Sequence, residues 1–268
     1  MSTGLAYRHQ KVQRLRRLAG RTSARQAERV FVAEGVKVVS EALAAGVPIE
    51  AVFAAPGAPA DLLDRAVEAG ARVHDLAPGV IERVAGTVTP QPVIATVPYV
   101  DVELGALRTA DLVVVCVDVR DPGNAGTVLR SAEAAGAGGV ICCDGCVDLY
   151  NPKAVRASAG SLFHVPVVNG GDPVDVLRRL GEWKLRRLGA VAGRGIDYTA
   201  ADLLGPTALV LGNEASGLPD AVAGSLDGEI TIPMTGRAES LNVGMAAAVL
   251  CFEVARQRRA RHELAGAT

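Results

Sequence analysis

Residues 112–117 read LVVVCV, an apolar run with no polar alternation. A strand with one wet face alternates apolar and polar side chains. An unbroken run belongs to a strand covered on both faces, as in the middle of a parallel sheet. Parallel strands cannot be joined by tight hairpins, so this part of the chain is committed to crossover connections and an α/β architecture. Residues 140–143, 165–168, 190–192, 208–211 and 230–232 supply further strands, and 172–188 a helix between two of them.

Ligands of open α/β sheets collect beyond the carboxyl ends of the strands. Three polar loops stand at such ends. The first, Asp121-Pro122-Gly123-Asn124-Ala125-Gly126, leads into a helix carrying Arg130. The second is Gly212-Asn213-Glu214-Ala215-Ser216-Gly217, directly after 208–211. The third runs from Pro233 to Asn242 and delivers Ser240, Leu241 and Asn242 to a helix that is apolar all round from Met245 to Phe252. Such a helix is expected to be buried. A fourth loop, 151–161, holds Lys153, Arg156 and Ser158. Taken singly, these residues also suit ordinary turns and helix caps.

The first hundred residues have a different texture. Residues 5–19 form a basic segment with Leu5, Val12, Leu15 and Leu18 at helical spacing. Strands at 30–33, 51–54, 72–74 and 93–97 alternate with helices at 36–45 and 61–69 and a helical turn at 80–84, which predicts a small α/β domain with a mostly parallel sheet. Residues 98–110 read as the boundary. Residues 1–29 hold eight Arg or Lys against Glu28 alone, +7, while the rest carries twenty basic against twenty-eight acidic side chains, −8. That concentration reads as an arm facing a polyanion, or as a solvated helix face.

Several function classes are disfavoured. Gly212 and Gly217 have the outer spacing of a phosphate loop, but no Gly-Lys-Ser/Thr ending follows, and no G-x-G-x-x-G follows 112–117. No G-x-S-x-G elbow appears, and all four histidines lie outside the three loops. Cys143 and Cys146 have C-x-x-C spacing without a second ligand pair, so no metal is expected. Aromatics make up only 3%, too few for rows of stacking rings. No apolar run reaches the roughly 18–20 residues of a membrane span, so a cytoplasmic location is expected.

Asn124-x-Gly126 with Arg130, Gly212-x-Glu214-x-x-Gly217, and Ile232-Pro233 followed by Ser240-Leu241-Asn242-Val243 together resemble the three motifs of the SpoU (TrmH) family. These are RNA ribose 2′-O-methyltransferases of the SPOUT superfamily. The likeness spans residues 112–256, and 30–98, with EGVKVVSEAL at 34–43, is similar to the substrate-binding domain that often precedes it. Gly244 departs from the serine of many relatives.

The resemblance implies an α/β fold: a C-terminal knotted SPOUT domain (α/β trefoil knot) with a mostly parallel sheet at 111–268. A linker at 99–110, a small ribosomal-protein-like substrate-binding domain at 30–98 and a basic helix or arm at 1–29 precede it. It implies S-adenosylmethionine as methyl donor, S-adenosylhomocysteine as product, and a homodimer through the C-terminal domain. The substrate is RNA, ribosomal before transfer RNA; the alternatives are a transfer-RNA methyltransferase or a non-catalytic RNA-binding member. By analogy Gly212, Asn213, Ile232, Met234 and Leu241 hold the adenosyl part. Arg130 grips a phosphate beside the target ribose and stabilises alkoxide charge, oriented with the ribose by Asn124, Glu214, Ser240 and Asn242. RNA contacts fall to Arg8, Lys11, Arg14, Arg16, Arg17, Arg21, Lys153 and Arg156.

Overall fold

The computed structural model describes residues 4–86 and 89–266. In chain order the helices are α1 (Gln10–Gly20), α2 (Thr22–Glu28), α3 (Val36–Ala44), α4 (Ala60–Glu68), α5 (Pro122–Ala134), α6 (Pro152–Ala157), α7 (Pro173–Glu182), α8 (Asp220–Ala223) and α9 (Val243–Gly266). The strands are β1 (Val30–Glu34), β2 (Ala51–Ala54), β3 (Arg72–Asp75), β4 (Val93–Pro98), β5 (Leu112–Cys116), β6 (Gly139–Cys142), β7 (Val167–Asn169), β8 (Arg186–Ala190), β9 (Ile196–Asp197), β10 (Thr207–Leu211) and β11 (Gly228–Thr231). They form two compact units: the chain up to Val100 with Asp148–His164, and Asp101–Val147 with the chain from Val165 on.

The first unit is built on a four-stranded sheet in the order β1-β4-β2-β3. It is mixed rather than mostly parallel: β4 runs antiparallel to both β1 and β2, and only β2 and β3 are parallel. The cause lies in the connection from β3 to β4, where only the single 3-10 turn Ile81–Arg83 forms among the described residues. With no crossover helix to carry the chain back, β4 enters the sheet from the opposite end. The basic N-terminal segment is not a free arm. Val12, Leu15 and Leu18 of α1 are wholly buried against the sheet, and Leu5 bridges to Leu76. Arg25 of α2 is itself buried, its guanidinium donating to Asp148 Oδ2 at 2.6 Å and to the Leu18 carbonyl at 2.8 Å.

Segment 148–164, which includes the loop expected at 151–161, contributes α6 and packs into this unit. Its Tyr150 ring lies 3.7 Å from that of Tyr99 and 4.8 Å from that of Phe31, centroid to centroid. Arg156 donates to Glu34 at 2.7 Å.

The second unit is a seven-stranded sheet in the order β7-β6-β5-β10-β8-β11-β9, every pair parallel. The unbroken apolar run places β5 near its centre, wholly buried. Val113, Val115 and Ile141 pack on one face with Val176, Leu177 and Leu180 of α7. Helix α7 stops six residues before the predicted end. Lys184 takes a left-handed φ of 70°, with Lys184 N–H bonded to Gly181 O and Leu185 N–H to Leu180 O, a Schellman-type stop. Residues 186–190 then become β8 because β10 and β11 pair with them on both sides.

Helix α9 also departs from expectation. Ala247, Leu250, Cys251 and Val254 are buried, but Met245 and Phe252 are 61% and 45% exposed in this chain. An all-round apolar sequence shows only that the opposite face needs some cover, not that its own chain supplies it. Close packing of α9 on α5 explains Gly244, since a Cβ there would fall 2.8 Å from Thr127 Cγ2 and 2.9 Å from Thr127 Cβ.

Candidate active site

Each of the three polar loops is held by its own short-range chemistry. In the first, Asp121 caps α5 by accepting from Asn124 N–H at 2.9 Å, and Pro122 occupies the first turn, where a missing N–H costs nothing. This leaves the Asn124 side chain free to reach outward. In the second, Asn213 and Gly217 exchange backbone hydrogen bonds of 3.0 and 2.9 Å, closing the loop on itself. Gly212 is required by that closure, because a Cβ on it would sit 2.5 Å from the Gly217 carbonyl oxygen. The Asn213 side chain accepts from Ala215 N–H at 2.9 Å and Ser216 N–H at 3.2 Å, and donates to the Asp118 carbonyl at 3.0 Å. It therefore locks the loop after β10 to the chain leaving β5. In the third, Asn242 caps α9, accepting from Gly244 N–H at 2.9 Å.

A hydrogen-bonded chain ties the three loops together. Asn242 Nδ2 donates to Asn124 Oδ1 at 2.8 Å, and Asn124 Nδ2 donates to Glu214 Oε1. Beside it opens a cavity of about 560 Å³, whose wall includes Gly212, Asn213, Glu214, Ile232, Met234, Ser240 and Leu241. All seven were singled out from the sequence. Asn124 and Asn242 do not line this cavity; they brace it from the side.

Arg130 stands apart. It lies on the exposed side of α5, six residues past Asn124 or about 9 Å along the helix axis, and no hydrogen bond joins it to Asn124, Glu214, Ser240 or Asn242. Its guanidinium is thus available to a ligand.

Sequence reasoning missed one wall. The turn after β8 brings Val191, Ala192 and Arg194 to the cavity. Arg194 is held in a two-pronged pair with Glu229, Nε to Oε2 at 2.8 Å and Nη2 to Oε1 at 2.7 Å, which keeps the Glu229 carboxyl below its ordinary range. Gly193-Arg194-Gly195 after a strand was the available signal, obscured because the strand was placed too late.

The basic residues fall into three groups. Arg16, Arg17, Arg21, Lys153 and Arg156 surround a separate cavity of about 700 Å³ in the first unit. Arg14 is committed instead to Glu28 at 2.5 Å and Glu50 at 2.8 Å, and Lys11 Nζ to His74 Nε2 at 3.0 Å, while Arg8 is exposed. Among the described residues no group of three or more His, Cys, Asp or Glu could hold a metal ion, and no helix is long and apolar enough to cross a membrane.

The cavity of about 560 Å³ beside the polar loops fits an adenosyl ligand. It is open, of ligand size, and offers backbone groups from loops held rigid by Asn213 and Gly212. Comparison with known proteins agrees with this geometry. The model of the SpoU rRNA methylase family matches residues 111–252, and that of the MRM3-like substrate-binding domain matches 9–95. The chain is 35% identical over 228 residues to the 23S rRNA (guanosine(2553)-2′-O)-methyltransferase RlmP of Bacillus subtilis, covering 84% of this chain and 88% of that one. The AdoMet-bound SpoU methyltransferase AviRb of Streptomyces viridochromogenes superposes with a TM-score of 0.85 at 29% identity, over 94% of this chain and 100% of the other. An AdoMet-bound rRNA methyltransferase of Sinorhizobium meliloti gives a TM-score of 0.80 at 29% identity, over 93% and 95%. With the three motif loops tied together beside one cavity and the family model spanning the sheet that carries them, this chain belongs to the SpoU rRNA methylase family.

Proposed function

We propose that this protein transfers a methyl group from S-adenosylmethionine to a ribose 2′-hydroxyl of ribosomal RNA. The carrying observation is that the second and third loops line one ligand-sized cavity while the first braces it through the chain Asn242–Asn124–Glu214. The donor, when bound, supplies an electrophilic methyl group on a sulfonium. Gly212, Asn213, Ile232, Met234 and Leu241 hold its adenosyl part. Fixing donor and hydroxyl in line supplies several kcal/mol of the barrier reduction.

Arg130 receives the target nucleotide. Arg130 serves through its planar donor fork, gripping the adjacent phosphate and stabilising charge on the attacking oxygen. The proton leaves late, to water. Glu214 and Ser240 face the ribose from the cavity wall, and Asn124 and Asn242 hold Glu214 in place.

The active unit is a homodimer in which Met245 and Phe252 of α9 are covered by a second copy; their exposure in the single chain supports this reading. The chain after β10 is threaded as a trefoil knot, and the enzyme works in the cytoplasm. The small unit grips RNA through Arg16, Arg17, Arg21, Lys153 and Arg156, with Arg8 adding charge at the edge.

The test is to incubate the protein with methyl-labelled S-adenosylmethionine and 23S rRNA from cells lacking the gene. One ribose should acquire the label, at a position unmodified in that strain. Label on no RNA, or on bases rather than ribose, would overturn the proposal.

A further inference from the structure

The cavity of the first unit has the features of a pocket for one nucleotide, not merely of a charged surface. It measures about 700 Å³, within the range of small-molecule sites. Its apolar surface comes from the half-buried Ala19, Ala85 and Pro152, lying over Val32 of β1 and Ile94 of β4, which are themselves buried. Around the rim stand Arg16, Arg17, Arg21, Arg83, Lys153 and Arg156, against the single carboxylate of Glu34.

Two rim guanidinium groups are positioned in advance. The Arg83 guanidinium carbon lies 3.5 Å from the Tyr7 ring centroid, a stacked cation–π arrangement that fixes its plane. Arg156 is held by Glu34, whose carboxylate is buried, at 2.7 Å. The apolar lining of Ala19, Ala85 and Pro152 accepts the face of a base, and a ring of forked donors binds the phosphates on either side of it. A duplex cannot enter such a recess; an unpaired nucleotide can.

We propose that this recess binds one extruded nucleotide of single-stranded RNA, distinct from the nucleotide that is methylated. It thereby anchors the substrate through the small unit. The inference rests on the proposed RNA methyltransferase reading, but its test does not use methyl transfer.

Gly20 offers a charge-neutral way to fill the recess. It lines the cavity, has no left-handed φ, and a Cβ built on it meets nothing within 4 Å. Gly20→Trp and Arg21→Ala would be compared with the parent by titrating fluorescent single-stranded oligoribonucleotides and a duplex DNA of equal length, without methyl donor, across a salt series. Gly20→Trp should weaken single-strand RNA binding about tenfold, the scale of one lost base contact, with the salt slope unchanged. Arg21→Ala should lower the salt slope by about one phosphate contact. Circular dichroism melts of both variants check folding. If the folded Gly20→Trp protein binds RNA like the parent, or if duplex DNA binds as tightly as single-stranded RNA, the pocket is refuted and only diffuse charge remains. Loss of methyl transfer with intact, Gly20-sensitive RNA binding would instead overturn the catalytic reading alone.

Discussion

Asn242 donates to Asn124 across 2.8 Å, joining the cap of α9 to the first turn of α5. Because Asn124 also donates to Glu214, one amide serves as acceptor on one side and donor on the other. A carboxamide does both at once, whereas an ionised carboxylate only accepts. Asn124→Asp would set a second carboxylate against Glu214. Methyl transfer should fall on the order of 10²-fold, as expected for misplaced catalytic groups. Calorimetric titration of S-adenosylmethionine should show the donor still binding, since Asn124 does not line that cavity.

Arg130→Lys retains charge and removes the fork. Turnover should drop by at least about tenfold, as planar two-pronged phosphate recognition is lost, while donor affinity stays intact. Single-turnover assays with saturating RNA separate this from weaker RNA binding. Parental turnover in the variant would remove Arg130 from the role proposed for it.

Gly244→Ser should destabilise the second unit by roughly 1–3 kcal/mol, the usual cost of overpacking, because its Cβ meets the branched carbon of Thr127 rather than a flexible tip. Adding Thr127→Ala should recover only part of the loss, since it removes the methyl at 2.8 Å and leaves the Cβ at 2.9 Å. Thermal melts of the parent, both single variants and the double variant check the coupling.

Among the cysteines, Cys146 should react first with iodoacetamide. Its hydrogen bond with Cys142 holds its thiol below the ordinary range, and it is the one cysteine not fully buried. Burial pushes Cys143 up and Cys251 up to about 12, and Cys142 is raised by its hydrogen bonds to Cys116 and Cys146. Timed alkylation followed by peptide mass spectrometry should show Cys146 modified before the rest.

His74 gives the first unit a defined acid sensitivity. Burial, then the charge of Lys11, lowers its pKa from the ordinary value of 6.5. The neutral ring is favoured in the folded protein, so this stabilisation is present above about pH 6.5 and is lost as pH falls from there through the depressed folded value. Melting temperature should decline over that window, and His74→Gln should flatten the decline. An unchanged profile in the variant would assign the acid sensitivity elsewhere.

The cavity wall was legible because its residues follow strands that periodicity identifies. Gly212 lies just beyond the buried run of β10, Ile232 just beyond β11, and Leu241 just before α9. What escaped was set by partners remote in sequence. Nothing near residue 186 shows that β10 and β11 will flank it, so the turn carrying Arg194 went unread. The N-terminal charge was visible, but its division was not. Whether an arginine meets Glu50, as Arg14 does, or a cavity, as Arg16 does, depends on contacts that helical spacing does not encode. Likewise an apolar stripe through Met245 and Phe252 carries no mark of whose surface will cover it.

Segment Asp148–His164 departs from the half of the chain in which it is written and completes the fold of the other. Asp148 neutralises Arg25, and the Tyr150 ring fills the space beside Phe31 and Tyr99. A gene fragment cut at Val100 would strand a buried cation and open a hole among the rings. Neither half can be lifted out or exchanged with a relative's by a single splice; the junction has to be made in three places, or the borrowed piece will arrive without its keystone.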